Sequence, residues 1–343
     1  MYVPAFITNW RSGQQTFTLH TSGSTGTPKP IQLTRTQMEA SARLTGQLVG
    51  LKKGDKALVC LNTGYVAGVM MLVRGEVLGL DLTIVEPSAN PLAAFDPITT
   101  RFDFAAFVPL QLQTMLADLD TAGLPVALPI LNGMKAILVG GAATTPTLEA
   151  ALQVIQAPVF STYGMTETVS HIALRRLNGP ERTALFRVLP GIEVGTDKRD
   201  CLHITAAATN FERVQTNDVV ELVEPDSEAA PACFRLLGRA DSIINTGGVK
   251  VQPEAVERII EATLASFGLM PRLFVVGLPD ERLGQRIVLF LENTELTPDQ
   301  WESIQQAVRS ELGTYAVPKA WRNVPAFTET ATGKVDRGAV INL

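Results

Sequence analysis

The chain has 343 residues, 46% of them hydrophobic and 18% charged, with a formal net charge of −5. That length suits roughly two domains, the composition excludes a disordered chain, and an acidic balance without a long Lys/Arg run excludes an electrostatic footprint for nucleic acid or an anionic membrane. The three cysteines, Cys60, Cys201 and Cys233, lie far apart with no CxxC spacing, which speaks against a disulfide framework and for small buried hydrophobes in a reducing compartment.

The start, MYVPAFITNWRSGQ, has no basic segment followed by an apolar core and is read as no signal peptide. Phe17–His20 is a short β-like run. It leads into Thr21-Ser22-Gly23-Ser24-Thr25-Gly26-Thr27-Pro28-Lys29, a loop of almost nothing but Ser, Thr and Gly, and a second β-like run follows at Ile31–Leu33. Thr36–Val49 reads as a helix with Thr34 or Thr36 as N-cap. Lys56–Leu61 is a strand, Tyr65–Leu78 a buried helix, and Asp81–Val85 a strand. The apolar run from Tyr65 to Val73 is interrupted by Arg74 and Glu76 and is too short to span a bilayer, so the chain is expected to be cytoplasmic and without membrane insertion. Phe104–Val108 and Ala136–Val139 are further buried strands, each followed by a helical stretch. Strands alternating with helices imply an α/β fold with a largely parallel sheet. From Arg187 to Leu237 short strands dominate, which reads as a β-rich subdomain. After Gly238 comes a compact α+β unit, with a helix at Pro253–Ala265, strands at Leu273–Gly277 and Ile287–Leu291, and a helix at Pro298–Leu312 capped by Thr297. The expected division is 1–238 and 239–343.

The Thr21–Lys29 loop has the makings of a phosphate cradle. Its glycines let consecutive N–H groups turn toward one anion, its hydroxyls add donors, and Lys29 adds a charge. No Gly-Lys-Ser/Thr follows, so it is not a Walker A loop. By composition alone a flexible turn explains it equally well. The string resembles the phosphate-binding signature of the adenylate-forming superfamily of acyl-CoA synthetases, luciferases and peptide-synthetase adenylation domains. Further motifs match that superfamily in order. In Ser161-Thr162-Tyr163-Gly164-Met165-Thr166-Glu167-Thr168 the resemblance implies that Tyr163 and Gly164 meet the adenine, Thr166 the α-phosphate and Glu167 a Mg²⁺ ion. Gly140, Gly141 and Ala142 would approach the adenine and the acyl group. Asp218, in Thr216-Asn217-Asp218-Val219, would grip the ribose hydroxyls; Asn217 stands where Gly is usual and is expected to tolerate the same turn. Arg239 would contact ribose or phosphate, and Asp241 would be the pivot of a hinge. Gly247, Gly248 and Lys250 would line a pantetheine tunnel, although a tight turn before a capped helix explains the glycines too. Lys334, in Thr332-Gly333-Lys334-Val335-Asp336-Arg337, would be the catalytic lysine.

The resemblance implies a large N-terminal α/β domain and a small mobile C-terminal one, with ATP, CoA and a small carboxylic acid as substrates and Mg²⁺ as cofactor. Two departures stand out. Only about twenty residues precede the loop, where the superfamily carries a long leading region, so a whole leading subdomain is expected to be missing, with a homodimer as one way to cover the sheet. Tyr65 occupies a place where many relatives carry His. The stretch Tyr163–Ile172 and the shortened start are most similar to the o-succinylbenzoate–CoA ligases of menaquinone biosynthesis. Such a substrate carries a second carboxylate. Arg74 is the candidate cation for it and His171 a weaker one, with Tyr65, Gly68 and Gly140 as further acyl-site candidates. A helix-end charge reaching solvent explains Arg74 equally well. Another acyl-CoA ligase, a stand-alone adenylation enzyme and an inactive ATP-binding homologue remain alternatives.

Overall fold

The structure is a computed structural model and describes residues 3–20, 29–223, 231–329 and 335–342. The chain opens on α1 (Val3–Arg11), then β1 (Thr16–His20) and β2 (Pro30–Thr34) pair antiparallel. α1 is absent from the sequence reading. It forms because Phe6 and Trp10, four apart on one face, stack on each other and on Phe17. α2 (Arg35–Val49) starts where the Thr34 hydroxyl accepts from Gln37 N–H while the Gln37 side chain accepts from Thr34 N–H, a capping box. Gly50, with φ 70°, ends it.

Next come β3 (Lys56–Val59), α3 (Val66–Leu78), β4 (Asp81–Ile84), β5 (Phe104–Phe107), α4 (Pro109–Ala117), α5 (Leu128–Asn132), β6 (Ala136–Val139), α6 (Pro146–Ala151) and β7 (Val159–Gly164). The five strands are parallel in the order β4-β3-β5-β6-β7. Alternating residues serve opposite faces, as the pleat requires. Val59, Phe104 and Leu138 pack with α2 and α3, whereas Leu58, Phe107 and Val139 pack with α4, α5 and α6. The crevice at the carboxyl ends of such strands is where ligands bind in open α/β sheets.

The same sheet continues antiparallel through β8 (His171–Arg176), β9 (Phe186–Val188), β10 (Glu193–Thr196), β11 (Cys201–Thr205), β12 (Val214–Val223) and β13 (Cys233–Arg239). Among the described residues it has eleven strands. The β-rich region expected from the sequence is therefore an extension of the main sheet, with its own core around Phe186, Ile204 and Phe234, and not a separate sheet.

A second sheet begins after Arg239. β14 (Ile244–Thr246) and β15 (Val249–Val251) form a hairpin, followed by α7 (Pro253–Ser266), β16 (Leu273–Asp280), β17 (Gly284–Glu292), α8 (Pro298–Leu312), β18 (Ala320–Val324) and α9 (Arg337–Ile341). Thr297 and Gln300 form the capping box of α8. α7 lacks the side-chain cap expected of it: Gln252 makes no capping bond, and Pro253 at the first helical position supplies the start instead. Among the described residues no helix is long and apolar enough to cross a membrane.

Candidate active site

The site is assembled at the ends of β6 and β7. β6 runs into Gly140–Thr145, where Gly141 has φ 86°. Gly140 sits so close to the Thr162 hydroxyl on β7 that any Cβ would collide with it. The far end of this loop is clamped. Arg175 Nη2 donates to Glu149 Oε1 at 2.6 Å and to Thr144 Oγ1 at 3.1 Å, and Thr144 donates to the same carboxylate oxygen at 3.2 Å. Arg175 also lies 5.6 Å over the Phe186 ring.

Tyr163, on β7, is buried with its ring edge-on to Phe234 and Phe186, at 5.1 and 5.9 Å between centroids. Its hydroxyl donates to Asp218 Oδ2 at 2.6 Å. Burial first, and the Asp218 charge second, hold that phenol well above its ordinary pKa, so it stays a donor. Asp218 is the register partner of Arg239 across β12 and β13, and Arg239 Nη1 donates to its Oδ1 at 3.2 Å. Arg239 also forks onto Asp241, Nε at 2.8 Å and Nη2 at 2.6 Å. The hydrogen bonds with Asp241 raise the Arg239 pKa, and the Arg239 bond depresses that of Asp241. Tyr163, Asp218, Arg239 and Asp241 thus form one continuous network. Asn217 needs no turn conformation here. It lies within extended β12, so a Gly has no conformational advantage at that position.

Beyond Tyr163 the chain turns through Thr166–Thr168, with Thr166 buried and Glu167 half-buried. The Glu167 carboxylate makes no hydrogen bond or ion pair among the described residues, where no group of three or more His, Cys, Asp or Glu could hold a metal. Mg²⁺ keeps waters and takes one or two carboxylates plus phosphate oxygens, so a carboxylate without a partner among the described residues suits a Mg²⁺ ion brought in by a nucleotide. The residues present fit that ion.

A second polar cluster lies one residue further along, because Gly164 pairs with His171 across β7 and β8. Arg74 is not a helix-end charge reaching solvent: it is 2% exposed, on the inner face of α3. Its Nη2 donates to Ser170 Oγ at 2.9 Å and Thr45 Oγ1 at 3.4 Å, its Nη1 reaches only Met71 Sδ at 3.7 Å, and its Nε is buried without a partner among the described residues. No carboxylate of the described residues is in ion-pair range of it, and burial draws its pKa down to about 10. His171 is buried beside it, its pKa pushed down to about 3 by burial first and Arg74 second.

The other sequence candidates are spread more widely. Tyr65 is the N-cap of α3 and makes no side-chain capping bond; a Cβ on Gly68 would strike the Asn62 backbone, so close loop packing already accounts for that glycine. Gly247 and Gly248 form the β14–β15 turn with φ 58° and 80°, and the Tyr315 ring fills the space beside Gly247. Lys250 is exposed in β15, and Lys29 is exposed just before β2. Thr21, Ser22, Gly23, Ser24, Thr25, Gly26 and Lys334 lie outside the described residues. Sequence reading missed Phe186, Phe234, Glu149, Arg175 and Thr45, which reach the site by strand pairing or helix packing and carry no local motif, and it gave no role to Ser170, which lies inside the Tyr163–Ile172 stretch.

Two family patterns match this chain, AMP-binding enzyme over residues 9–195 and AMP-binding enzyme C-terminal domain over residues 260–334. The chain belongs to the AMP-binding enzyme family. It is an enzyme of the AMP-forming ligase class. A protein of Dyadobacter fermentans described as acyl-CoA synthetase (AMP-forming)/AMP-acid ligase II-like is 43% identical, with a TM-score of 0.62 over 98% of this chain and 92% of that one. A probable 2-succinylbenzoate–CoA ligase of Mycobacterium tuberculosis is 29% identical over 94% of this chain and 82% of its own length. The 2-succinylbenzoate–CoA ligase of Escherichia coli is 26% identical over 93% and 67%. The o-succinylbenzoate coenzyme A synthetase (MenE) of Bacillus subtilis, solved with ATP and magnesium ion, is similar in fold, with a TM-score of 0.73 at 18% identity over 94% of this chain and 69% of that one.

Proposed function

We propose that this AMP-binding enzyme is an o-succinylbenzoate–CoA ligase: it activates one carboxylate of its acid with ATP, releasing pyrophosphate, and passes the acyl group from the acyl-adenylate to coenzyme A, releasing AMP. The observation that carries the choice of acid is Arg74. A buried guanidinium without a carboxylate costs several kcal/mol unless something anionic compensates it. An acid with a second, unreacting carboxylate supplies that anion, and a fatty or simple aromatic acid does not. The relatives named for 2-succinylbenzoate support the same reading.

In this reading Tyr163 and the Gly140–Ala142 loop hold adenine, Asp218 and Arg239 the ribose, and Thr21–Gly26, Lys29 and Thr166 the phosphates. Glu167 would hold Mg²⁺, which when bound neutralises phosphate charge. Attack of a carboxylate on the α-phosphorus brings two anions together, so the protein contributes position and positive charge. Lys334 supplies that charge in the first step. For the second, residues 239–343 rotate about Asp241 and bring Gly247, Gly248 and Lys250 to the acyl carbonyl, where two residues without side chains leave room for the pantetheine arm.

The test is pyrophosphate release over a panel of acids, with and without CoA. The expected result is turnover with o-succinylbenzoate well above its monocarboxylic analogues, and thioester formed only with CoA. Preference for monocarboxylic acids, adenylate without thioester, or no turnover at all would each replace this reading with another ligase, a stand-alone adenylation enzyme or an inactive homologue. Lys334→Ala should abolish adenylate formation and spare thioester formation from supplied acyl-adenylate.

A further inference from the structure

The buried cluster around Arg74 contains few enough protons that each can be assigned. Thr45 Oγ1 donates to the Ser41 carbonyl one turn earlier on α2, at 3.0 Å. A hydroxyl has one proton to give, so the other two contacts of Thr45 Oγ1 are acceptances. One comes from Arg74 Nη2; the other, at 3.2 Å, must come from His171 Nε2. The ring proton is therefore on Nε2. With the ring neutral, Nδ1 is a bare acceptor, and its 3.2 Å contact with Ser170 Oγ makes the serine hydroxyl the donor. That spends the serine proton on His171 and leaves Ser170 Oγ to accept from Arg74 at 2.9 Å.

The backbone is bent to reach this arrangement. Val169, buried and β-branched, has φ 66° and ψ −49°, and Ser170 N–H donates to the Thr168 carbonyl at 2.7 Å. This is a γ-turn of the rare, strained hand, a backbone state that costs on the order of 1–3 kcal/mol and persists only where its surroundings impose it. It presents Ser170 and His171 together to Arg74. Gly164 is what lets the turn close, because a Cβ there would run into the Ser170 carbonyl and, at 2.6 Å, the His171 Cα.

We infer that His171 is a positioning residue for the acid: in its Nε2–H tautomer the bare Nδ1 takes the Ser170 proton, so Ser170 Oγ joins Thr45 Oγ1 as an acceptor toward Arg74 Nη2, and the guanidinium, anchored there, presents Nη1 to the second carboxylate. This rests on the proposed function, in which Arg74 receives that carboxylate. Without the imidazole the Ser170 proton has no fixed acceptor, so the shorter of the two anchors on Nη2 is no longer held in place and Thr45 Oγ1, at 3.4 Å, is the one that remains.

The test has two arms on the full-length enzyme. With three histidines in the chain, nitrogen-15 spectra of histidine-labelled protein at neutral pH should show one ring with Nδ1 bare and Nε2 protonated, and that signal should vanish in His171→Leu. An Nδ1–H tautomer or a protonated His171 ring overturns the inference. In kinetics, His171→Leu should raise KM for o-succinylbenzoate on the order of tenfold, as loss of one charged hydrogen bond would, with KM for ATP moving less than twofold. His171→Asn, which returns an acceptor near Nδ1, should recover most of the loss. If Arg74→Leu leaves KM for the acid unchanged, the carboxylate reading itself falls. If Arg74→Leu raises it and His171→Leu does not, the inference about His171 alone falls.

Discussion

At Asp218 the two carboxylate oxygens serve different partners, Oδ2 the Tyr163 hydroxyl and Oδ1 the Arg239 guanidinium. Each oxygen has a second lone pair, so a ribose diol can join without displacing either partner. Replacing Asp218 by Asn puts N–H groups where Tyr163 or Arg239 already donates and removes the charge. Asp218→Asn should raise KM for ATP roughly 10- to 100-fold, the worth of hydrogen bonds to a charged group, with a much smaller change in KM for the acid. Tyr163→Phe keeps the ring and should cost only a few-fold. An Asp218→Asn enzyme with KM for ATP within twofold of the parent would remove Asp218 from the ribose site. The motif around Asp218 was visible in the sequence, as were Tyr163 and Arg239. Their joining was not. Tyr163 and Asp218 are 55 residues apart, on strands separated by three others, so only the sheet order brings them together. Arg74 shows the same limit from the other side: helix position alone cannot distinguish a charge that reaches solvent from one that faces inward, and packing against α2 and β8 decides it.

Elements whose rules are local were the legible ones. Thr34 with Gln37 and Thr297 with Gln300 are reciprocal caps three residues apart; α8 starts where the sequence places it, and α2 one residue earlier, at Arg35, with Thr34 rather than Thr36 as its cap. Single-sheet continuity from β4 to β10 was not legible, because strand pairing depends on residues far apart in the chain. The Gly140–Thr145 loop is an element of this second kind. Its glycines are conspicuous, but its stiffness comes from Glu149, which gathers Thr144, Arg175 and, at 3.4 Å, Arg182 on a carboxylate only 12% exposed. Glu149→Gln leaves these donors short of a charged acceptor and should destabilise the protein by about 1–3 kcal/mol. Because Thr144 belongs to the loop proposed to approach the adenine, KM for ATP should rise several-fold alongside. Stability lost with KM for ATP unchanged would make Glu149 a brace of the fold and nothing more.

For the whole molecule the apolar clusters are informative. Those around α2, α3, the parallel strands and Phe234 use residues up to Leu236, while those of the second sheet begin at Ile244, and among the described residues no cluster joins the two. Each part has a core of its own, and we propose that the two divide at 238/239. Each also carries a titrating group of opposite sign. His171, lowered from 6.5 to about 3, is neutral when folded while the unfolded chain binds a proton, so stability of the first part falls as pH drops through that window. Glu261 on α7 is raised from 4.5 to about 7, by burial first and the Glu257 charge second, against the opposing pull of Arg258. Between those values the folded chain keeps a proton that the unfolded chain releases, so stability of the second part is fully present below pH 4.5 and is lost as pH rises through 7. Glu257, one turn earlier, shifts in the same direction through burial, although Arg337 opposes it. Glu261→Gln should therefore stabilise the second part by on the order of 1–3 kcal/mol at pH 8 and by about nothing at pH 4. Urea melts followed by a probe in each part check this. If residues 239–343 unfold on their own, only their transition moves, and the transition of residues 1–238 keeps its midpoint. A single transition that shifts as a whole would mean that the two parts unfold together, and rotation about Asp241 would then have to break contacts that hold the entire enzyme.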